Sequence, residues 1–405
     1  MMRRSVKNLR GRRLSLLLIV LFASVLLLLC SSGNPVTASA YTSEEQEALD
    51  RLEEEVEELL GSLDTDELQV YLDSFDEYRG KDVREMLASL VTGDFALKYD
   101  SLFEAVLGLV WEEGRAMLPA FAVILAVSVL CGILNSAKNG FLQGTMSDII
   151  HFAAYVSVGA VILAVLTNVL QTGFSAIAQM QKQMQIVCPI LLTLMAASGG
   201  AVSAGVFRPA VAFLSSGICE LFTAVVLPTS VVVIVLTFAG NLSPEVRCEK
   251  LGGLFKSVNK WLIGLTLGLF TLFLTVQGIA SAQYDGISLR TIKYLVSGSV
   301  PIVGGFLSGG VDLVLAGSSL IKSALGSFSV FLLFATILRP VLLFAAFQLF
   351  LRLCAAATEP VGGKISSFLS SLANDCGFFV AGLLCVAFLY FLTVILLVCS
   401  AGVIL

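Results

Sequence analysis

The sequence predicts an all-α fold: a polytopic helical membrane protein with an internal repeat of about 110 residues and an exported acidic helical segment near the N-terminus. Of its 405 residues, 57% are hydrophobic and only 14% are charged, too few polar groups to cover a soluble domain. Several apolar runs approach the ~20 residues with which a helix crosses ~30 Å of hydrocarbon. The runs are continuous and do not alternate with period two, which argues against a β-barrel.

Residues 1–40 have the pattern of an export signal. The start, "MMRRSVKNLRGRR", carries six positive charges, and the apolar segment "LSLLLIVLFASVLLLLC" follows it. The segment "TASA" then places small residues at Ala38 and Ala40, which predicts a signal peptide cleaved before Tyr41. An uncleaved signal anchor stays open as the alternative, because the apolar run is long.

Residues 41–113 are predicted to form an acidic extracytoplasmic helical domain. They hold 22 of the 30 acidic residues and only 5 basic ones. Within "EEQEALDRLEEEVEELLGSL", an apolar stripe repeats with the 3-4 spacing of one helix face. Its residues Leu49, Leu52 and Val56 are therefore a candidate interface, docking a helix either within this domain or on a partner.

Residues 114–405 are predicted to form a multispan membrane domain with two full repeat units and a partial third. Pro189 and Pro301 are 112 residues apart, and so are Pro228 and Pro340. A helix break is expected near Pro228. The run 186–197 is expected to be a separate short element, because 12 helical residues reach only ~18 Å. Chance similarity between apolar sequences is the alternative to the repeat.

Two proline-led, glycine-ended runs, "CPILLTLMAASGG" and "VPIVGGFLSGG", occupy matching places in the two units. Interrupted apolar segments in corresponding positions typically indicate a transport pathway. We expect the two runs to lie against each other near the middle of the membrane domain. Close helix packing through small residues, and a single kinked span over 295–317, stay open as alternatives. The candidate pathway or close-packing residues are Pro189, Gly199, Gly200, Pro301, Gly309, Gly310 and Asp312.

Ionisable residues also occur in or beside the apolar runs, where each charge at the bilayer centre costs on the order of 3 kcal/mol. Asp312, in "SGGVDLVLAG", is the sharpest case, facing either a cavity or an interfacial bend. Four others lie closer to the ends of runs, where long side chains are expected to reach the interface. These four are Arg208, Glu220, Lys322 and Arg339.

No catalytic, cofactor-binding or metal-binding residues are predicted, and the chain is not expected to be an enzyme. The sequence has neither a Gly-x-x-x-x-Gly-Lys-Ser/Thr phosphate loop nor a His-Glu-x-x-His motif. His151 is the single histidine, which excludes a histidine-based zinc site. The nine cysteines form no Cys-x-x-Cys pair, so no disulfide framework is expected, and no basic face suited to nucleic acid is present.

Three long stretches resemble the stage III sporulation protein AE family of endospore-forming Firmicutes. They are "CPILLTLMAASGGAVSAGVFRPAVAFLSS", "LPTSVVVIVLTFAGNLSPE" and "VSGSVPIVGGFLSGGVDLVLAGSSLIKSALG". The resemblance implies a membrane subunit of the transport or secretion channel that links the mother cell and the forespore. It also implies a location in the mother-cell membrane surrounding the forespore, with the N-terminal domain extracytoplasmic.

The same resemblance implies partners: the lipid bilayer and other stage III sporulation channel subunits, including a secretion-type ATPase and ring-forming proteins. A homo-oligomer is possible, and no nucleic acid or cofactor is implied. Two other functions stay open at this point. One is a stand-alone secondary transporter, or permease, built from the same repeat. The other is a non-conducting scaffold for the channel rings.

Overall fold

A computed structural model describes residues 56–61, 65–73, 80, 82–92, 99–136, 145–242, 248–299, 304–360 and 363–400. Within these ranges the regular secondary structure is helical, without strands. The expectation of an all-α chain is therefore confirmed. The helices are α1 Asp66–Leu72, α2 Val83–Thr92, α3 Tyr99–Ser136, α4 Thr145–Ala197, α5 Ala201–Ala212, α6 Leu227–Leu242, α7 Glu249–Ser299, α8 Gly304–Thr358 and α9 Gly363–Cys399.

Six described segments are long and apolar enough to cross a membrane, which supports a multi-pass membrane protein. They are Trp111–Leu130, Tyr155–Ala197, Ala201–Asn241, Lys250–Gln277, Val314–Thr358 and Ile365–Cys399. At 1.5 Å per residue, the 43 residues of Tyr155–Ala197 extend over about 65 Å, twice the thickness of the hydrocarbon core. Parts of the longest helices therefore need surroundings other than lipid.

The expected short element 186–197 is not separate, and this prediction is wrong. It forms the last turns of α4, with Pro189 inside the helix. Pro189 removes one backbone N–H donor from the helix. Ending the helix there would leave further backbone groups without hydrogen bonds in apolar surroundings, which costs more, so the helix continues through the proline. Likewise, Gly309 and Gly310 lie within α8 rather than at a break.

The expected break near Pro228 is replaced by a change of helix type. The chain continues from α5 to α6 through two π-helical segments, Phe213–Ile218 and Phe222–Val226, joined by the α-helical turn Cys219–Leu221. An α-helical turn would set the proline ring against the carbonyl group four residues earlier. The wider π turns leave room for the Pro228 ring at the second position of α6.

A glycine turn joins α4 to α5. The Gly200 N–H donates to the Met195 carbonyl (2.9 Å), and the Gly199 N–H donates to the Ala196 carbonyl (3.2 Å). Together these two bonds satisfy the last carbonyls of α4 in the Schellman arrangement. The turn needs a left-handed residue, and Gly199 supplies it with φ = 92°. This is the structural role of the first glycine pair.

Helix α9 is at the centre of the bundle. Of the six candidate spans it is the most buried, with 67% of its most apolar window inside the structure. It packs against α4, α6, α7 and α8. Phe379 of α9 stacks on Phe344 of α8 at 4.8 Å between ring centroids and meets the edge of Phe174 of α4 at 5.6 Å.

The acidic segment lies against the bundle through α1 and α2. Helix α1 contacts α4, and α2 contacts α8. Most of their large apolar side chains are buried or half-buried, with Val70 as an exposed exception, and the acidic residues at the start of α1, Asp66 and Glu67, are exposed. The buried side chains are Leu68, Tyr71, Leu72, Val83, Met86 and Leu87.

The bounds of the described helices do not test the 110-residue repeat, which stays a prediction. Helices α4 and α7 begin at Thr145 and Glu249, 104 residues apart, and end at Ala197 and Ser299, 102 residues apart. This interval differs from the 112-residue spacing of the prolines. Pro189 lies inside α4, whereas Pro301 lies outside the described residues.

Candidate functional site

A buried ion pair joins three helices. Asp375 of α9 is 2% exposed, and its Oδ1 lies 2.5 Å from Nζ of Lys256 on α7. The hydroxyl of Thr237 on α6 donates to the other carboxylate oxygen, also at 2.5 Å. A carboxylate in an apolar bundle is costly unless it is paired, and this one has both a charge partner and a hydroxyl donor.

A second polar contact lies one turn further along α7. Asn259 is fully buried, and its amide donates to the hydroxyl of Ser230 on α6 at 2.9 Å. The hydroxyl of Thr229 contacts the amide oxygen of the same asparagine. These contacts and the ion pair lie along the interface of α7 with α6 and α9, and the two groups together are here named the polar seam. Its members are Thr229, Ser230, Thr237, Lys256, Asn259 and Asp375.

The polar seam holds α6, α7 and α9 in register and carries one ionisable pair. The Lys256 side chain is 35% exposed, so the pair reaches the surface on the α7 side. No group of three or more His, Cys, Asp or Glu side chains suited to a metal ion occurs in the described part of the chain. The chemistry of the seam is therefore that of a carboxylate, an ammonium group, an amide and hydroxyls.

Sequence reasoning did not single out Asp375. It lies in "LANDCGFF", at the start of the last apolar run, where a single acidic residue resembles an ordinary helix end. Lys256 lies in the polar linker "VRCEKLGGLFKSVNK", more than a hundred residues earlier. In the sequence, Asp375 could have been noticed as a single acidic residue beside an apolar run of more than 20 residues. Its pairing with Lys256 depends on the fold, which brings α7 and α9 together.

The predicted site residues are only partly described. Pro189 is exposed on α4, Gly199 and Gly200 form the α4–α5 turn, and Gly309, Gly310 and Asp312 lie on the helical backbone of α8. Pro301, Leu49 and Leu52 lie outside the described residues, while Val56 is buried. The contact between the two proline-led runs and the docking of the Leu49 stripe therefore stay predictions.

The ionisable residues at membrane depth divide into three cases. Arg208 and Glu220 are exposed, and Arg339 pairs with Glu113 of α3 at 2.8 Å. Lys322 is different, with 1% exposure and no hydrogen-bond partner for its ammonium group among the described residues. The expectation that Lys322 extends to the interface is therefore wrong, because its face of α8 points into the bundle.

Tyr71 anchors the acidic helix α1 to α4. Its hydroxyl lies 3.5 Å from the Gln179 carbonyl oxygen, and Nζ of Lys182 lies 5.8 Å from the centroid of its ring. The ring is 2% exposed and the lysine is within cation–π distance. Burial raises the pKa of the Tyr71 phenol, and a hydrogen bond with Thr336 acts in the opposite direction.

Replacing Tyr71 with Ala is expected to release α1 from α4, because the change removes a fully buried aromatic side chain worth about 3 kcal/mol. Limited proteolysis of the purified protein should then cut the segment before α2 several-fold faster. Tyr71→Phe is the control, since it keeps the ring and loses only the hydroxyl contact. Equal cleavage rates in wild type and Tyr71→Ala would show that Tyr71 does not hold α1.

Comparison with known proteins places these features in a family. The family model described as stage III sporulation protein AE matches residues 81–402. The chain belongs to the stage III sporulation protein AE family. The match includes α2 to α9 and the whole polar seam, and it begins after the Leu49 stripe and α1.

A named relative covers almost the same length. The stage III sporulation protein AE of Bacillus subtilis (strain 168) is 24% identical over 381 residues, which are 93% of this chain and 95% of the relative. No solved structure matches the chain. For this member of the stage III sporulation protein AE family, the family implies a role in sporulation, and the six candidate spans support a multi-pass membrane protein.

Proposed function

We propose that this chain is a membrane subunit of the transport or secretion channel that links the mother cell and the forespore during endospore formation. Membership of the stage III sporulation protein AE family carries the proposal. The multi-pass helical bundle adds support, because a channel subunit must cross the membrane several times. The docked acidic helices offer a hydrophilic surface beside the bundle for contacts with other subunits.

In this proposal the protein lies in the mother-cell membrane around the forespore, and its acidic segment occupies the space between the two membranes. Its partners are a secretion-type ATPase and ring-forming channel proteins. The charge distribution supports this orientation, because the six positive charges precede the apolar segment of the predicted signal and 22 acidic residues follow in 41–113.

The orientation predicts both processing and side. The N-terminal sequence of the mature protein should begin at Tyr41, because the Ala-x-Ala pattern ends at Ala40. In vegetative cells made to produce the protein, an epitope tag inserted near residue 60 should be digested by protease added outside intact protoplasts, because there the cell membrane faces the medium. A tag that is protected there and digested only after lysis would place the acidic segment in the cytoplasm and overturn the proposed orientation.

Affinity purification from sporulating cells tests the channel assignment. The tagged protein should co-purify with a secretion-type ATPase and ring-forming subunits in fixed stoichiometry, and its removal should stop forespore development. Purification of a functional protein without other subunits would support the stand-alone permease instead. Reconstitution of the intact complex in liposomes distinguishes a channel subunit from a non-conducting scaffold. A channel subunit should raise solute flux across the liposome membrane, whereas a scaffold would assemble without raising it.

A further inference from the structure

The outer surface of α4 changes character along its length. In its first half the large exposed hydrophobic side chains are Phe152, Val156 and Leu163. From residue 167 to residue 197, no exposed residue of α4 is a large hydrophobic one. The exposed polar residues of this half are here named the polar stripe: Thr167, Asn168, Gln171, Ser175, Gln179, Lys182, Gln185 and Thr193.

The polar stripe follows one face of the helix, because its residues from Asn168 to Gln185 recur every three or four positions and Thr193 lies eight residues further on. The opposite face supplies the apolar side chains that make this segment a candidate span, and these are buried in the bundle. They include Ile177, Met180, Met184, Val187 and Leu191, each with 0% exposure. High hydropathy here therefore reflects the interior of the protein rather than contact with lipid.

Contact between the polar stripe and lipid would be energetically unfavourable. The segment 167–197 extends over about 45 Å, longer than the ~30 Å hydrocarbon core. Lys182 alone would cost on the order of 3 kcal/mol at the bilayer centre, and the exposed amides would add to that cost. Water on this face removes the penalty without changing the packing of the apolar side.

Other helices show what a lipid-facing surface of this protein looks like. Helix α3 exposes Leu118, Val123, Leu125 and Leu130, and α7 exposes a longer apolar row that includes Leu269, Leu272, Phe273 and Val276. Helix α8, which packs on α4, exposes Ser323 and Ser327 and no large hydrophobic residue between Leu320 and Leu349. Large exposed hydrophobic residues are therefore unevenly distributed around the bundle.

Two further features lie on the polar stripe. An open cavity of 370 Å³ lies between α4 and α6, at the start of the stripe. Its lining is mostly apolar: Thr167 and Gln171 of the stripe lie beside Leu170 and Phe174 of α4 and Pro228 and Val231 of α6. One helical turn after Ser175, Gln179 and Lys182 contact Tyr71 of the acidic segment, which is rich in charge and suited to water.

From these observations we propose that the polar stripe is the wall of an aqueous path for hydrophilic solutes. The path follows the stripe from Thr167 and Gln171 and passes the docked acidic helix towards the α4–α5 turn. Lys182 is the charged member of the stripe, and the rest are amides and hydroxyls, so the path suits neutral polar solutes and anions. The assignment of the polar stripe as the conducting surface of the channel rests on the proposed function.

Cysteine accessibility tests the proposal. In a functional variant without native cysteines, Gln171→Cys, Gln185→Cys and Thr193→Cys are made singly and treated in native membranes with a charged, membrane-impermeant thiosulfonate. Only a hydrated thiol ionises and reacts quickly. Each should react within about ten-fold of Lys250→Cys, an exposed position at the start of α7.

Matched controls lie on the same helix. Val156→Cys and Leu163→Cys should react at least about 100-fold more slowly, because their thiols face lipid and stay protonated. Equally slow reaction of Gln185→Cys and Thr193→Cys in native membranes would overturn the aqueous path. That result would not affect co-purification of the channel subunits. The aqueous path can therefore be refuted while the proposed channel assignment stands. The amount of each variant in the membrane and its co-purification with the channel subunits show that it is folded.

Discussion

Lys256→Met is expected to lower the free energy of unfolding by about 3 kcal/mol, at the low end of the cost of breaking a buried ion pair. The change leaves the carboxylate of Asp375 2% exposed with only the Thr237 hydroxyl as a donor. The low end applies because the Lys256 side chain is 35% exposed and partly hydrated already. Unfolding of the purified protein in mixed detergent micelles, followed by fluorescence, measures the loss.

A second variant separates the charge from the packing. In Lys256→Met with Asp375→Asn, the neutral amide oxygen still accepts from Thr237, so most of the lost stability should return. Lys260→Met is the matched control, because Lys260 is exposed one turn further along α7 and its replacement should change stability by less than about 0.5 kcal/mol. Equal losses in Lys256→Met and Lys260→Met would show that the buried pair contributes nothing specific.

Gly173→Leu is expected to destabilise the bundle by about 2–3 kcal/mol, through overpacking at the contact of α4, α8 and α9. A Cβ atom at this position would overlap the Phe379 ring and lie 3.1 Å from the Phe344 ring. Neither ring can move aside easily, because both are fully buried and stacked on each other. A lower unfolding midpoint and a smaller amount of protein in the membrane would report the effect.

Gly268→Leu is the matched control for this prediction. Gly268 is exposed on α7, and an added Cβ atom would meet nothing within 4 Å. The same side chain there should leave stability unchanged or raise it slightly, since leucine favours the helix over glycine. A Gly173→Leu protein as stable as Gly268→Leu would mean that the three helices do not approach as closely as described.

Several properties of this protein follow from local sequence alone. Continuous apolar runs with few charges predict a multi-pass helical membrane protein, because backbone groups in hydrocarbon must be paired within helices. The long stretches at residues 188–216 and 296–326 were sufficient to recognise the family, which the comparison then confirmed. The positions of helix ends were less predictable, since Pro189 and the glycines of α8 do not end their helices.

The candidate site was the least predictable part. The carboxylate of Asp375 meets Lys256 across 119 residues of chain, and no local pattern connects them. Prolines and glycines drew attention to 188–200 and 300–310 because they interrupt apolar runs in the sequence. The described charge pair instead uses residues outside both runs, on helices that meet only in the folded bundle.

Composition and periodicity determine that α4 is a long apolar helix, but they do not determine what surrounds each of its faces. Hydropathy averages over the whole circumference, so burial in protein and contact with lipid produce the same signal. The packing of α4 against α8 and α9 takes up the apolar face and leaves Gln171, Lys182 and Gln185 outside. The same packing turns Lys322 inward, although its place in the sequence resembles that of an interfacial lysine. Which side of a helix is covered depends on its neighbours, and only the tertiary structure decides them.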